Sequence, residues 1–403
     1  MKLLHTADWH LGKRLDSISR MEEQRAVLAE ICEIADREKV DAILIAGDLF
    51  DTFNPSTDAV DLFYKTLKKL TNGAKRPVIA IAGNHDSPDR IEAPDPLARE
   101  CGIIFAGYPQ TEISPFELET GVKITKSAPG FIEISFPQYK YPLRLLLTPY
   151  ANEYRMKTFL GTEDRDEELR TLLAEEWNAS AKKYCDKKGV NILMTHLFVM
   201  KKDGEQQAEP DAEKPILHVG GAQAIYTENF PKQMQYVALG HLHRRQTVDT
   251  KPCPTVYSSS ILAYSFAEAN QDKNVIIVDL EPDKKAKVEA IKLTTGKKLI
   301  LKRFEDVDEA IEWLKDNPNT LVELTIVADD FLNSQDRKRL HTTHQGIVAI
   351  IPEIRNKMAR KGSPTAIDLN RPIEELFSDY FKSKNGVNPN EEIMDLFKEV
   401  LGT

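Results

Sequence analysis

Five apolar runs in this chain end in side chains able to hold a metal ion or move a proton. Residues 2–7 lead into Asp8, Trp9 and His10, and 41–46 into Gly47, Asp48 and then Asp51. Residues 79–82 lead into Gly83, Asn84, His85 and Asp86, 191–195 into His196, and 235–239 into Gly240, His241, Leu242 and His243. A carboxylate, a carboxamide and an imidazole can ligate a metal, donate a proton or hold another ring in place. Each run also has an ordinary explanation: Gly, Asn and Asp are favoured turn formers, and a lone histidine after a strand is usually structural. Five coincidences at strand ends are harder to credit, because open α/β sheets bind ligands at the carboxyl ends of their strands. Asp8 with His10, and His241 with His243, are two apart, so in extended backbone each pair shares a side. Oxygen and imidazole donors without thiolate favour Mn²⁺, Fe²⁺ or Mg²⁺ over structural zinc. The donors are too many for one ion. Two metals about 3.5–4 Å apart, bridged by a shared carboxylate, would use them and would suit in-line attack on a phosphate ester.

The apolar runs read as buried strands, and helical patterns between them imply an α/β fold. Ser19 with Glu22 fits a capping box ahead of Val27, Leu28, Ile31 and Ile34, giving an amphipathic helix that ends near Lys39. Ser56 opens a second helix with Val60, Phe63, Leu67 and Leu70 on its apolar side, and 167–184 a third with Leu169, Leu172, Leu173 and Trp177 inward. Residues 103–106, 143–147, 255–257 and 274–280 are further strand candidates, and the charged stretch 201–215 reads as a loop. After about residue 285 the ligand-bearing strand ends cease. Strands at 297–302, 321–327 and 346–351 with helices at 307–315 and 331–340 describe a small split α/β layer. From Pro372, Ile373, Leu376, Phe377 and Phe381 form one apolar stripe and Ile393, Leu396, Phe397 and Leu401 a second. Stripes on so short a tail pack back on the chain or dock on a partner. The expected division is 1–285, 290–362 and 370–403.

A chain of 403 residues with 41% hydrophobic content can bury two or three cores. Its net charge of −9 argues against a protein that grips nucleic acid by bulk electrostatics, so any DNA must be held by metals, local basic patches or a partner. No leader pattern and no run of roughly 18 apolar residues is present, which places it in the cytoplasm with no membrane contact. Four cysteines without a CxxC pair point to reduced thiols rather than a zinc knuckle or a disulfide framework.

Asp8-x-His10, Gly47-Asp48-x-x-Asp51, Gly83-Asn84-His85-Asp86, His196 and Gly240-His241-x-His243 resemble the five motifs of calcineurin-like metallophosphoesterases, in the family's order. Over essentially the whole chain, and most closely at 5–12 and 238–244, the sequence is similar to the SbcD nucleases. That resemblance implies a layered α/β/β/α sandwich with a small α/β capping domain and a C-terminal helical pair. It implies two divalent ions, most often Mn²⁺, with Mg²⁺ or Fe²⁺ as alternatives. One would be held by Asp8, His10, Asp48 and His243, the other by Asp48, Asn84, His196 and His241, with Asp48 as the bridge. His85 would position the phosphate or protonate the leaving oxygen, its ring oriented by Asp51 or Asp86. The implied activity is 3′ to 5′ exonuclease on double-stranded DNA and endonuclease at hairpins and blocked ends. The implied partner is an SbcC-type SMC-like ATPase, docked by the C-terminal helices, in a heterotetramer built on a homodimer of the nuclease. Another reading keeps the two-metal site for a small nucleotide or phosphomonoester, though such an enzyme needs neither cap nor docking helices. A third is a non-catalytic scaffold, which should show gaps among the ligands. After Tyr257 the family tends to carry Gly-Ser-Pro, whereas this chain has Ser259, Ser260 and Ile261.

Overall fold

The computed structural model describes residues 1–158, 165–202, 224–328, 332–354 and 373–385, together with 389, 393, 394 and 397. The chain forms two compact units, Met1–Ile326 with Ser334–Ile351, and Val327–Asn333 with Pro352–Thr403.

The first unit is built on two sheets. One has six strands in the order Lys287–Lys292, Asn274–Asp279, Lys2–Thr6, Ala42–Ala46, Val78–Ile81 and Ile103–Ala106. The other has seven, in the order Gln246–Asp249, Thr255–Tyr257, Tyr236–Gly240, Val190–His196, Leu143–Thr148, Phe131–Ser135 and Lys123–Ala128. The central strands of both are parallel. Parallel strands covered on both faces carry apolar residues at every position, which explains the unbroken runs in the sequence. Alternation of side chains then assigns the layers. Ile43 and Ile45 pack with Val27, Leu28 and Ile31 of the helix Met21–Arg37 and with Phe63 and Leu67 of the helix Thr57–Leu70. Their neighbours Ala42, Leu44 and Ala46 turn the other way, against Leu145, Ile192, Met194 and Ala238 of the second sheet. On that sheet's outer face Leu193, Val237 and Leu239 meet Leu169, Leu173 and Trp177 of the helix Arg165–Tyr184. The layers run helix, sheet, sheet, helix, so the α/β/β/α sandwich implied by the motifs is the architecture observed.

Three local expectations differ. The first helix begins at Met21 without a capping box. Ser19 lies in a short strand paired with Arg14–Leu15, and Glu23 is taken by the buried Arg20, whose Nε and Nη2 donate to it at 2.6 and 3.0 Å. With Ser19 held in that strand, Arg20 takes the N-cap position and the expected partner Glu22 stays exposed. The second difference is the antiparallel hairpin Lys123–Ala128 with Phe131–Ser135, which extends the second sheet. Its edge strand carries exposed or half-buried Lys, Thr and Ser with few apolar residues, and so no clear strand signal. Third, Lys287–Lys292 pairs with Asn274–Asp279, so the expected boundary at 285 falls inside a hairpin and the first sheet runs on to Lys292.

Beyond it, Lys298–Phe304, Thr320–Ala328 and Ile347–Ile354 form a three-stranded sheet, with helices Val307–Asp316 and Ser334–Thr343 between them in sequence. In the second unit the helix Ile373–Asn385 carries Phe377, whose ring stacks on Phe397 at 3.9 Å. Leu396 and Leu401 of the second stripe, residues 203–215 of the expected loop, the basic stretch 355–361 and His218 lie outside the described residues.

All four cysteines are free. Burial pushes the Cys32 thiol up to about 11 and those of Cys185 and Cys253 up to about 12, whereas Cys101 is only half-buried. Thiolate is the reactive form. A thiol reagent at pH 8 is therefore expected to modify one cysteine per native chain rapidly and the other three only in denaturant. A second fast thiol would contradict this packing.

Candidate active site

The loops that follow Thr6, Ala46, Ile81, His196 and Gly240 converge at the carboxyl ends of the parallel strands of both sheets. Asp8, His10, Asp48, Asn84, His196, His241 and His243 are all buried there, at no more than 8% exposure. The backbone that delivers four of them is not extended. Asp8, His10 and Asp48 sit at φ 53, 44 and 49° and His241 at φ 107°. The shared facing of Asp8 with His10 therefore comes from a left-handed turn rather than from strand alternation. That conformation costs roughly 1–2 kcal/mol per non-glycine residue. A ladder offsets the cost: Gly47, Asp48 and Leu49 carbonyls accept from the N–H groups of Asp8, His10 and Leu11 at 3.0, 3.0 and 3.1 Å. Glycine is required where these loops approach one another most closely. A Cβ on Gly83 would lie 2.1 Å from Asp48 Oδ1, and one on Gly240 would lie 1.8 Å from the Ala46 carbonyl oxygen.

The ligand-type atoms form two clusters that share Asp48. In one, His10 Nε2 lies 3.0 Å from His243 Nε2 and 3.4 Å from Asp48 Oδ2, and Asp8, His10 and His243 each turn a ligand atom into a common space. In the other, Asn84 Oδ1 lies 2.9 Å from His196 Nε2 and 3.1 Å from His241 Nδ1, with Asp48 Oδ2 3.3 Å from His196 Nε2. The donor set fits divalent cations on three observations. Asp8 Oδ2 is buried and has no hydrogen-bond partner. Two imidazole Nε2 atoms at 3.0 Å repel unless a proton or a cation lies with them. And the acids favour a positive charge in this space: although burial opposes it, Asp48 and Asp8 raise His196 to about 9, a charge that a divalent cation would supply in place of the ring proton. His10 is instead pulled down to about 3 by burial, which keeps its ring neutral and able to ligate.

His85 stands at the rim, half-buried, its ring edge-on to that of His10 at 4.9 Å. Its main-chain N–H donates to Asp48 Oδ1 at 2.9 Å, tying the two loops together. Its Nδ1 lies 3.0 Å from the carbonyl oxygen of Asp51, so the ring is oriented by the backbone at that position and not by a carboxylate. The Asp51 carboxylate is engaged elsewhere. It pairs with Lys13 Nζ at 2.7 Å and faces His10 Nδ1 at 3.6 Å, and although burial opposes it these partners hold its acid at about 2. Asp86 does not reach the ring either. Its oxygens accept from the N–H groups of Gly83, Leu49 and Phe50 at 2.8, 3.0 and 2.9 Å, so it clasps two site loops. His5 is buried on Tyr236 and the Leu239 carbonyl, and His344 on that of Asn317, both away from the clusters.

Sequence reasoning missed three supporting side chains. Gln24 Nε2 donates to the His10 carbonyl at 2.8 Å and to Tyr264 Oη at 3.1 Å. Glu268 reaches His243 Nδ1 at 3.3 Å. Arg155, buried, donates to the carbonyls of Gly83 at 2.7 Å and Asp86 at 2.8 Å. Each lies outside the motifs, and nothing local to it signals the contact. Arg155→Met would take the guanidinium from the Asp86 carbonyl and leave that of Gly83 only the long 3.4 Å bond from the Asp86 N–H, so a loss of ~2–4 kcal/mol in urea unfolding is expected. Unaltered stability would show that water replaces the guanidinium.

Residues 1–245 match the family model of the calcineurin-like phosphoesterases. The SbcD subunit of the SbcCD nuclease of Bacillus subtilis (strain 168) is 38% identical, over 99% of this chain and 97% of its own length. That of Rhodobacter capsulatus is 34% identical, over 70% of this chain and 66% of its own. A solved protein of Thermus thermophilus, TT1561, aligns over 73% of this chain and 99% of its own at TM-score 0.39 and 12% identity. Five strand-end motifs in order, their convergence in one buried site and a relative matched over nearly its full length lead to one conclusion. The chain belongs to the calcineurin-like phosphoesterases and, among them, to the SbcD nuclease subunits, metal-dependent hydrolases of phosphodiester bonds.

Proposed function

We propose that the protein is the nuclease subunit of an SbcC–SbcD type complex, a two-metal DNA phosphodiesterase with Mn²⁺ as its working ion. Asp8, His10, Asp48 and His243 would hold one ion, and Asp48, Asn84, His196 and His241 the other. The observation that carries this reading is the position of Asp48 Oδ2, 3.4 Å from His10 Nε2 and 3.3 Å from His196 Nε2, between the two clusters. Bound divalent ions would act as Lewis acids, offsetting charge that develops on the phosphate oxygens. The remaining work falls to the chain. With its Nδ1–H donated to Asp51 O, His85 has Nε2 as the atom that can meet a phosphate oxygen or deliver a proton to the leaving oxygen. Asp51 assists through that carbonyl, and Asp86 and Arg155 keep Asn84 and His85 in register with Asp48.

The substrates proposed are double-stranded DNA, degraded 3′ to 5′, and hairpin or blocked ends, cut endonucleolytically. An SbcC-type SMC-like ATPase would supply the grip on DNA that a chain of net charge −9 lacks. Residues 290–362 would act as the cap and 370–403 as the docking element, in a cytoplasmic heterotetramer with two nuclease chains. No helix among the described residues is long and apolar enough to cross a membrane.

The test is cleavage of a DNA hairpin with Mn²⁺ against Mg²⁺, with and without the ATPase and ATP. Hairpin opening that needs Mn²⁺ and is stimulated by the ATPase is expected. Turnover of mononucleotides with no cut in DNA would instead establish a small-substrate phosphoesterase. Deleting 385–403 is expected to leave hydrolysis of a small phosphodiester intact while abolishing co-purification with the ATPase. Retained co-purification would move the dock elsewhere.

A further inference from the structure

We infer that Glu268, with Lys273 as its counter-charge, is a positioning residue that fixes the tautomer and aim of His243 and so sets the affinity of one of the two metal sites. The inference rests on the two-metal reading above. Glu268 lies at the end of a short 3₁₀ turn, Phe266–Glu268, and Lys273 one residue before the strand Asn274–Asp279; both are more than 90% buried. His243 Nδ1 faces Glu268 Oε1 at 3.3 Å, and its Nε2 faces His10 Nε2 at 3.0 Å. A ring that donates from Nδ1 leaves the Nε2 lone pair for a metal. His196 shows the same division of its two nitrogens, with Nδ1 on the Ala46 carbonyl at 2.7 Å and Nε2 toward Asn84 and Asp48.

The difference between these two supports is the reason to assign Glu268 more than packing. A neutral carbonyl orients a ring. A carboxylate also offers a charge-assisted acceptor, which holds the ring more firmly than a neutral carbonyl does. Lys273 holds that carboxylate in place. Its Nζ donates to Glu268 Oε2 at 2.6 Å, and also to the His243 carbonyl and Ser260 Oγ at 2.9 Å each. The ammonium thus balances the carboxylate's charge and grips both ends of the arrangement. The carboxylate is fully occupied: Oε1 also accepts from the Tyr264 N–H at 3.3 Å and Ser265 Oγ at 3.1 Å, and Oε2 from Ser260 Oγ at 3.3 Å. Ser260 comes from the loop where the sequence departs from Gly-Ser-Pro, so that loop takes part in holding His243.

The experiment measures Mn²⁺ binding to the full chain by titration calorimetry and by electron paramagnetic resonance, independently of cleavage. Glu268→Leu is expected to weaken one Mn²⁺ site about 10–100-fold and leave the other unchanged. At limiting Mn²⁺ the spin-coupled signal of an ion pair should then give way to the six-line signal of a single ion. Glu268→Gln keeps an acceptor for Nδ1 without the charge and should fall between Leu and wild type. If Glu268→Leu fails to fold, as judged by circular dichroism of the metal-free protein, the Gln variant alone decides. Wild-type affinity at both sites in whichever folded variants are measured would overturn the inference. His243→Ala separates its failure from that of the underlying reading: two Mn²⁺ ions bound at wild-type affinity there would remove His243 as a ligand and with it the ligand set assigned above.

Discussion

Asp48→Asn is expected to empty both metal sites and reduce Mn²⁺-dependent cleavage of linear duplex DNA at least about a thousandfold. Asp48 Oδ2 lies within 3.5 Å of ring nitrogens from both clusters, so loss of its charge weakens both sites at once. Lewis-acid stabilisation is worth several kcal/mol, and each 1.36 kcal/mol is tenfold in rate. The substitution is nearly isosteric, and the asparagine oxygen can still accept the His85 N–H, so the loops should stay in place. Stability separates this outcome from a damaged fold. Although burial opposes it, the His196 and His10 rings beside Asp48 hold its carboxyl well below the usual carboxylate range, so the substitution removes a favourable pairing from the metal-free protein. The metal-free variant should thus melt below metal-free wild type, but still in one cooperative transition. Saturating Mn²⁺ should stabilise wild type, by about 2.7 kcal/mol at a hundred times Kd, and the variant hardly at all. Metal content equal to wild type, measured by atomic absorption, would show that Asp48 is not shared.

What the sequence made legible, and what it hid, follows from how far each signal reaches along the chain. The strand ends were legible because a strand buried on both faces is apolar at every position and then stops abruptly at Asp8, Asp48, Asn84, His196 or His241. The conformation of those ends was not. An Asp-x-His looks the same in sequence whether it lies along a strand or, as here, at φ 53 and 44°. The sheet's extent was obscured for another reason. Lys123–Ala128 and Lys287–Lys292 lie at sheet edges with charged or polar outer faces, so their composition resembles that of loops. Contacts between distant segments leave no local trace at all: Arg155 on Gly83 and Glu268 on His243 are of this kind. Asp51 is an instructive intermediate. Its motif position drew attention to the right residue, but through its carboxylate, whereas the contact with His85 is made by its carbonyl, which any amino acid would supply. Ser259 completes the pattern. It occupies φ 99° in the loop where the family tends to carry glycine, and its Oγ accepts from the Asn274 N–H at 2.9 Å, so a hydrogen bond holds the turn that glycine would make freely.

His85→Asn is expected to keep both metals and yet lower DNA cleavage about a hundredfold to ten-thousandfold, the range that a positioned proton donor contributes. Metal retention follows from the separation of backbone and side-chain roles at this residue. The His85 N–H that supports Asp48 belongs to the main chain and survives the substitution, while the ring's Nδ1 is held by the Asp51 carbonyl rather than by any of the ligand-type side chains. What asparagine removes is an ionisable atom at the rim. The leaving group tells which job that atom does. A DNA strand leaves as an alkoxide, which needs a proton; p-nitrophenolate, released from thymidine 5′-(p-nitrophenyl phosphate), is stable without one. If His85 is the acid, the defect should shrink at least about tenfold on the nitrophenyl ester, because the variant lacks only the proton that this substrate does not need. If His85 positions the phosphate, both substrates lose rate equally and KM rises on each. Full activity on duplex DNA with metals bound would exclude both roles and leave the ring as a spacer between the Asp51 and Asp48 loops.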